Sequence, residues 1–478
     1  MCGEVHHMKF LAFMFLKKKY PYNFTTGIVL LLYKCVWILF CPLIPVYFFK
    51  KSLKEPSYRQ NVSERFGFGK RFSPNAVWVH AVSLGEFRAS VPLIRGLLER
   101  SERIILTTIT PAGREEAQSV LNPEIEAGNI HLVYLPLEYD FAFNQFLRRY
   151  KPKLTIVLEI ELWPVMITAC SRFCIPLILA QGQYIEKSFL RDKRRPWLRG
   201  ALFNGFDLIL AKSHVHASRY KLFCNSKVEI MGELRFDQTI PKRHIDSADL
   251  FLKKLDLRKS NRLCFCFGST GPGEDADLIL LMKRLNAKAK EKKAAKPFYI
   301  YVPRHKKDFF SIARTIDKSG LKFLERSDIF DAKLHLKDKS VLKDIEIDGI
   351  FGNSLGEINF YFQMADYVFI GNSFNDLGAH NIIEPLALKK PVVVGPSVWG
   401  IEYPLVEALE VGIVKKVQNI EELYDYWLSK ILSDKKAHKG IASLDKFYAV
   451  HSGAAQRCIS KLTKNGFLTK ASSDLNIK

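Results

Sequence analysis

At 478 residues with 48% hydrophobic side chains, the chain is too long for one ordinary domain and apolar enough to fill two cores, which excludes a disordered or peptide-like protein. Its 72 Lys and Arg against 49 Asp and Glu give a formal charge of +23, which calls for an acidic partner: nucleic acid, anionic lipid or a phosphorylated substrate. No recognisable DNA or RNA module or clustered basic arm supports nucleic acid, and nine cysteines, with Cys264 and Cys266 two apart in an apolar run, read as reduced, buried thiols in a cytoplasmic setting.

Residues 1–20 are basic and irregular. Gly27 to Phe49 is then apolar except for Lys34, long enough to enter a bilayer. Pro42, Pro45 and Lys34 weaken a clean spanning helix, while the aromatic residues and Lys50, Lys51 and Lys54 suit an interfacial anchor on an anionic leaflet. A buried core helix is the plain alternative. No small-residue cleavage site follows, so a secretory signal is not expected. The expected partition is an anchoring segment over 1–50, an α/β domain over 51–240, a second over 241–465 and a tail over 466–478.

After YRQNVSERFGFG comes an expected strand, Val77 to His80, then Ser83, Leu84, Gly85 and Glu86. Phe87, Val91, Ile94, Leu97 and Leu98 recur at helical spacing, so a helix opened by Glu86 packs one face on a sheet. Glu86 then sits at the carboxyl edge of the sheet, where α/β enzymes place their chemistry; it could equally serve only the helix dipole. Ile104 to Ile109 is followed by Thr110 as a cap and Pro111 at the first helical position. Leu154 to Leu158 ends in Glu159 and Glu161, two acids on one side of a strand edge that could serve catalysis or pair with basic neighbours. Ile175 to Leu179, Leu208 to Leu210 and Val228 to Ile230 complete a parallel sheet of about six strands. Between them, Gln181 to Arg199 mixes arginines and lysines with Phe189 and Trp197, a composition suited to an anionic amphiphile or to a solvated helix face.

The composition turns polar from Gly232 to Arg262, marking the boundary. In the second domain Arg262 to Phe267 reads as a strand ending in Gly268, Ser269, Thr270, Gly271 and Gly273, a loop whose backbone can approach a phosphate. Tyr299 to Val302 ends in Pro303, Arg304 and His305, a permanent forked donor beside a titratable one. Gly349 to Phe351 leads to Asn353, Ser354, Gly356 and Glu357. The stretch from Ala365 to Pro396 joins strands Tyr367 to Ile370 and Val392 to Val394 through Gly371, Asn372, Ser373, Gly378, His380, Asn381 and Glu384. Asn381 and Glu384 are spaced as a capping box, and a helix start offers N–H groups and a positive dipole end to an anion. Glu384 could accept hydrogen bonds from sugar hydroxyls, or merely cap. Gathered at one sheet edge, these strand ends outline a nucleotide-sized pocket.

The motifs YRQNVSERFGFG, WVHAVSLGE, TTITPAG, EIELWP, FGST, PRH, GNSLGE and GAHNIIEP, in this order from about Tyr58 to Pro396, resemble the bacterial 3-deoxy-D-manno-octulosonic acid (Kdo) transferases of lipopolysaccharide synthesis. The resemblance implies two Rossmann-like domains facing a cleft, the GT-B glycosyltransferase fold, with an amino-terminal membrane-anchoring segment. It implies inverting, metal-independent and cofactor-free transfer of Kdo from CMP-Kdo to a hydroxyl of a lipid A precursor of lipid IVA type, at the cytoplasmic face of the cell inner membrane. In that reading Glu86 is the general base and Glu161 an active-site support. Arg304 and His305 meet the cytidine and phosphate region, Ser269, Ser373 and Asn381 help hold phosphate, Glu384 holds ribose, and Gly356 and His380 complete the donor-binding set. The chain carries Asn372 and Ala379 where the family pattern has glycine, and AQGQYIEKS (residues 180–188) where the family has an asparagine-alanine-arginine run. A related membrane-associated transferase using another nucleotide sugar or lipid acceptor is the alternative; a catalytically idle scaffold would have no need of Glu86, Arg304, Asn381 and Glu384 together.

Overall fold

The computed structural model describes residues 24–257, 260–337, 347–433 and 441–470. The basic segment 1–20 and residues 471–478 of the expected tail lie outside the described residues. The chain divides into two compact units, residues 1–238 with 452–478, and residues 239–451.

In the first unit seven strands form one wholly parallel sheet: β1 (Val77–His80), β2 (Ile104–Thr108), β3 (Ile130–Tyr134), β4 (Leu154–Leu158), β5 (Leu177–Gly182), β6 (Leu208–Ala211) and β7 (Lys227–Ile230). Their order is β3-β2-β1-β4-β5-β6-β7. The runs VWVH, IILTT and LTIVL are buried along their whole length, as strands covered by helices on both faces must be. The strand order reverses between β1 and β4, so the crevice of this unit opens at the ends of those two strands. Edge strand β3 adds one to the six expected strands.

Helix Leu84–Glu99 buries Phe87, Ile94 and Leu97 as its spacing predicts, leaves Val91 and Leu98 half-buried, and buries Leu93 as well. The expected partition assigned the chain through 465 to the second domain; instead it returns to the first unit at Ser452. There the helix Ala454–Lys464 packs on Leu84–Glu99 through Ile459, which leaves no room for a side chain at Gly96. Asp237 accepts the Ala455 N–H at 2.7 Å and Arg457 donates to the Met231 carbonyl at 2.8 Å, which fixes the return.

The apolar amino-terminal run breaks into two helices, Phe24–Phe40 and Leu43–Lys54, bent by 61° at the Cys41–Pro42 turn. No single helix among the described residues is long and apolar enough to cross a membrane, although the bent pair passes that test together. Pro42 supplies the break because it cannot donate to the preceding turn. The first helix docks on three successive residues: Tyr33 donates to Glu138 at 3.3 Å, Lys34 pairs with Asp140 at 2.8 Å, and Tyr139 donates to the Trp37 carbonyl at 2.8 Å. Its other face leaves Leu31, Leu32, Val36 and Leu39 exposed.

The second unit holds β8 (Cys264–Thr270), β9 (Phe298–Pro303), β10 (Phe323–Glu325), β11 (Gly349–Phe351), β12 (Tyr367–Ile370), β13 (Val392–Val394) and β14 (Val414–Lys416). They too form a wholly parallel sheet, in the order β10-β11-β9-β8-β12-β13-β14. The order reverses between β8 and β12. Trp427 anchors the core, its ring centroid 4.5 Å from Phe265 and 4.9 Å from Phe267. Edge strand β10 is again an addition.

Candidate active site

In the first unit the loop after β1 turns directly into helix Leu84–Glu99. Ser83 caps it by accepting the Glu86 N–H at 3.3 Å, and Glu86 reaches back to accept the Val82 N–H at 2.8 Å and the Ser83 hydroxyl at 3.2 Å. The Ser-x-x-Glu spacing therefore makes a capping box, shifted one residue outward. The cap fixes the carboxylate at the reversal of the sheet, and it leaves Glu86 only 8% exposed.

Across the reversal, the loop after β4 carries Glu159 and Glu161. Burial, aided by the nearby charge of Glu159, pushes the Glu86 carboxyl up to about 7. Burial and then the charge of Glu86 push Glu161 up to about 8. Near neutral pH each of these carboxyls therefore holds its proton more readily than an ordinary glutamate. Glu159 differs because, although burial opposes it, Lys212 and Arg235 hold it below the ordinary carboxylate range. It pairs with Arg235 at 3.1 Å and Lys212 at 3.5 Å.

The ion cluster behind that pair was not foreseen from the sequence. The ammonium of Lys212, 1% exposed, lies 2.8 Å from the carboxylate of Glu233, 2% exposed. Lys212 also donates to Gln183 at 2.6 Å, and Gln181 donates to Glu233 at 2.6 Å. The cluster collects the ends of β4, β5 and β6 and the segment after β7. Glu159 and Gln181 hold left-handed backbones, with φ of 58° each, and such outliers gather where a site over-determines its loops.

The second unit presents a matching reversal at β8 and β12. Its two loops are in direct backbone contact: Gly371 donates to the Gly268 carbonyl at 2.9 Å, and a Cβ at Gly371 would collide with the backbone of Ser269 and Thr270. Ser269 and Asn372 both have positive φ, 58° and 59°. Asparagine tolerates that conformation, so it can stand where the family pattern has glycine. Ala379, the other departure, is buried and has no positive φ.

Glu274, immediately before helix Asp275–Glu291, ties these loops together. Its buried carboxylate accepts the N–H groups of Gly271 at 3.2 Å, Asn372 at 2.6 Å and Phe374 at 2.9 Å. Burial raises its pKa although the three N–H bonds oppose the rise. The sequence offered only an acidic residue at a helix start.

Several expected contacts need correction. Ser373 is fully buried; its hydroxyl donates to the Ile370 carbonyl at 2.6 Å and accepts the Gly395 N–H at 2.9 Å, so it locks the loop and has no proton left for a phosphate. The Asn381–Glu384 capping box does not form. The helix spans only Ile383–Ala387, its N-cap is Ile382, and Asn381 Oδ1 accepts the Ile383 N–H at 2.9 Å, occupying one of the donors expected for an anion.

The remaining donor-side residues lie at strand ends. Arg304 follows β9, its backbone N–H bonded to Thr270 at 3.1 Å. Its guanidinium has no acidic partner among the described residues, and burial alone lowers its pKa. His305 beside it is exposed. Gly356, φ 84°, turns the loop after β11, where Arg326 and Glu357 pair at 2.6 Å. His380 and Glu384 are half-buried. Within this unit Ser269, Ser373 and Arg304 are brought together by the contacts of the β8, β9 and β12 loops.

These features agree with comparisons to known proteins. The family described as 3-deoxy-D-manno-octulosonic-acid transferase (kdotransferase) matches residues 60–238. The 3-deoxy-D-manno-octulosonic acid transferase of Bordetella pertussis is 29% identical over 390 residues, covering 81% of this chain and 86% of the relative. That of Haemophilus influenzae is 28% identical over 438 residues, covering 89% and 96%. Among solved structures, a glycosyltransferase from Rickettsia africae aligns with a TM-score of 0.52 at 15% identity over 82% of this chain and 99% of its own. A UDP-N-acetylglucosamine 2-epimerase aligns with a TM-score of 0.54 at 12% identity over 84% and 98%, a likeness of fold alone. With its ordered motifs and its two parallel α/β units, the chain is similar to Kdo transferases over most of its length, and residues 60–238 match their family.

Proposed function

We propose that the chain moves Kdo from CMP-Kdo to a hydroxyl of a lipid A precursor of lipid IVA type, with inversion at the anomeric carbon and Glu86 as general base. The observation that carries this reading is the carboxyl pair Glu86 and Glu161 at the reversal of the first sheet, one pushed up to about 7 and the other to about 8. A base with a pKa near the working pH transfers protons most effectively. In the step, an oxygen lone pair of the acceptor forms a bond to the anomeric carbon while the bond from that carbon to the phosphate oxygen breaks. CMP departs with the electron pair, and the acceptor proton passes to Glu86. Burial and the charge of Glu159 keep Glu86 basic, and Glu161 serves as a positioning residue.

On the donor side, Arg304 and His305 meet the phosphate and cytidine, and the charge of Arg304, uncommitted to any acid, stabilises the leaving phosphate. Ser269 contributes its side chain and the Gly371–Ser373 loop its backbone. Gly356 keeps the neighbouring loop clear, Asn381 and His380 flank the phosphate, and Glu384 accepts from ribose hydroxyls. The relatives named for Kdo transfer support the sugar. The exposed apolar residues of the two amino-terminal helices, together with Lys50, Lys51 and Lys54, support attachment to the anionic cytoplasmic leaflet of the inner membrane.

Mass spectrometry after incubating the protein with CMP-Kdo and a tetra-acylated lipid A precursor tests the reading. A gain of one or more Kdo masses is expected. No gain with CMP-Kdo but a gain with another nucleotide sugar would overturn it.

A further inference from the structure

Helix Phe24–Phe40, the turn at Pro164 and the helices Glu186–Asp192 and Pro196–Phe203 enclose a cavity of about 560 Å³ in the first unit. Its walls are apolar: Val29 and Leu30 from one side, Leu198 and Leu202 from the other. Its mouth is basic. The buried carboxylate of Asp192 holds Arg191 and Arg199, each at 2.9 Å, and accepts from Tyr184 at 3.2 Å. Arg194 and Arg195 also line it, and among the described residues neither side chain has a partner. Four guanidinium groups and one carboxylate thus line the cavity, a surplus of positive charge beside an apolar hole.

We propose that this cavity binds one anionic phospholipid of the bilayer, its phosphate on Arg194 and Arg195 and part of an acyl chain along Val29, Leu30 and Leu202. Charge complementarity selects an anionic head group, since forked guanidinium donors match phosphate oxygens. The volume falls within the roughly 300–1,000 Å³ of small-molecule sites, room for part of one phospholipid rather than a whole multiply acylated disaccharide. The lining helix carries Ile28, Leu31 and Leu32 exposed beside the cavity, so a bound chain leaves it onto an apolar surface. Tyr33, another lining residue, donates to Glu138, which accepts the Val165 and Met166 N–H groups at 2.8 and 3.2 Å. A lipid seated here therefore touches the support of the loop that carries Glu161.

The proposal rests on the membrane attachment given above, and its test reads binding rather than transfer. The full chain in mild detergent is mixed with phosphatidylglycerol or phosphatidylcholine, and bound lipid is counted by native mass spectrometry. One phosphatidylglycerol per chain is expected, bound about tenfold or more tighter than phosphatidylcholine. Arg194→Ala with Arg195→Ala, both exposed and without side-chain partners, should lower that affinity about tenfold or more. Val29→Trp, which fills the hole and leaves every charge, should abolish it. Equal binding of the two lipids, no bound lipid, or retention by both variants would overturn the proposal. So would stoichiometric displacement by the lipid A precursor, which would make the cavity an acceptor site. Kdo transfer measured on the same samples separates the two readings, because lipid binding without transfer counts against the transfer reading alone.

Discussion

The side chain of Asn372 fills the space over Gly271. A Cβ at Gly271 would fall deep inside the radius of Asn372 Oδ1, while Asn372 itself donates to the Ser269 carbonyl at 3.3 Å. A residue that departs from the Kdo transferase pattern thus adds its side chain to the links that Glu274 and Gly371 make between the β8 and β12 loops, and it occupies the space a side chain at Gly271 would need.

Gly271→Ala should therefore destabilise the chain by about 1–3 kcal/mol, the usual cost of overpacking. The same change should weaken CMP binding about tenfold. Adding Asn372→Gly removes the obstacle, so the double variant should recover most of both losses. Thermal unfolding and CMP titration of the two singles and the double read the coupling, and strict additivity would show that the two residues do not meet.

Ser373 and Arg304 should separate stability from binding. Ser373→Ala strands a buried carbonyl and a buried N–H, a loss of about 1–3 kcal/mol, with the CMP affinity of the folded protein within about twofold. Arg304→Ala touches no partner, so stability should hold within about 0.5 kcal/mol. The KM for CMP-Kdo should then rise about tenfold or more, and an unchanged KM would remove Arg304 from the donor site.

The carboxyl pair gives stability a definite pH dependence. Unfolded glutamates titrate near about 4.3, whereas burial first, and second the charge of Glu159 on Glu86 and of Glu86 on Glu161, hold Glu86 at about 7 and Glu161 at about 8 in the folded chain. Between those limits the folded state binds more protons, so these two groups make stability fall as pH rises from about 5 to 8. Glu161→Gln should raise Tm by a few degrees at pH 8.5 and by nothing measurable at pH 4.5. An equal gain at both would mean that the charge of Glu161 carries no penalty.

Much of this was legible in the chain. Continuous apolar runs gave the parallel strands, and the helical spacing after Ser83 gave the helix start at which Glu86 sits. The edge strands Ile130–Tyr134 and Phe323–Glu325 were not legible, because one side of each lacks a neighbour and a run of three to five residues carries little periodicity. Lys212, Glu233 and Arg235 each read as an ordinary charge, and only the parallel sheet brings them to Glu159. The capping-box reading of Asn381 and Glu384 failed for a local reason: the Asn381 side chain accepts the Ile383 N–H, and the helix that follows spans only Ile383–Ala387.

The central claim is that Glu86 removes the acceptor proton. Its most direct test is the single-turnover rate of Kdo transfer by wild type and Glu86→Gln, across pH 5.5 to 9, with CMP affinity measured alongside. The account predicts a wild-type rate that rises through about pH 7. The variant should bind CMP within about twofold of wild type and transfer roughly a hundredfold more slowly or worse, without that rise. A Glu86→Gln protein that transfers at the wild-type rate with the wild-type pH profile would contradict it.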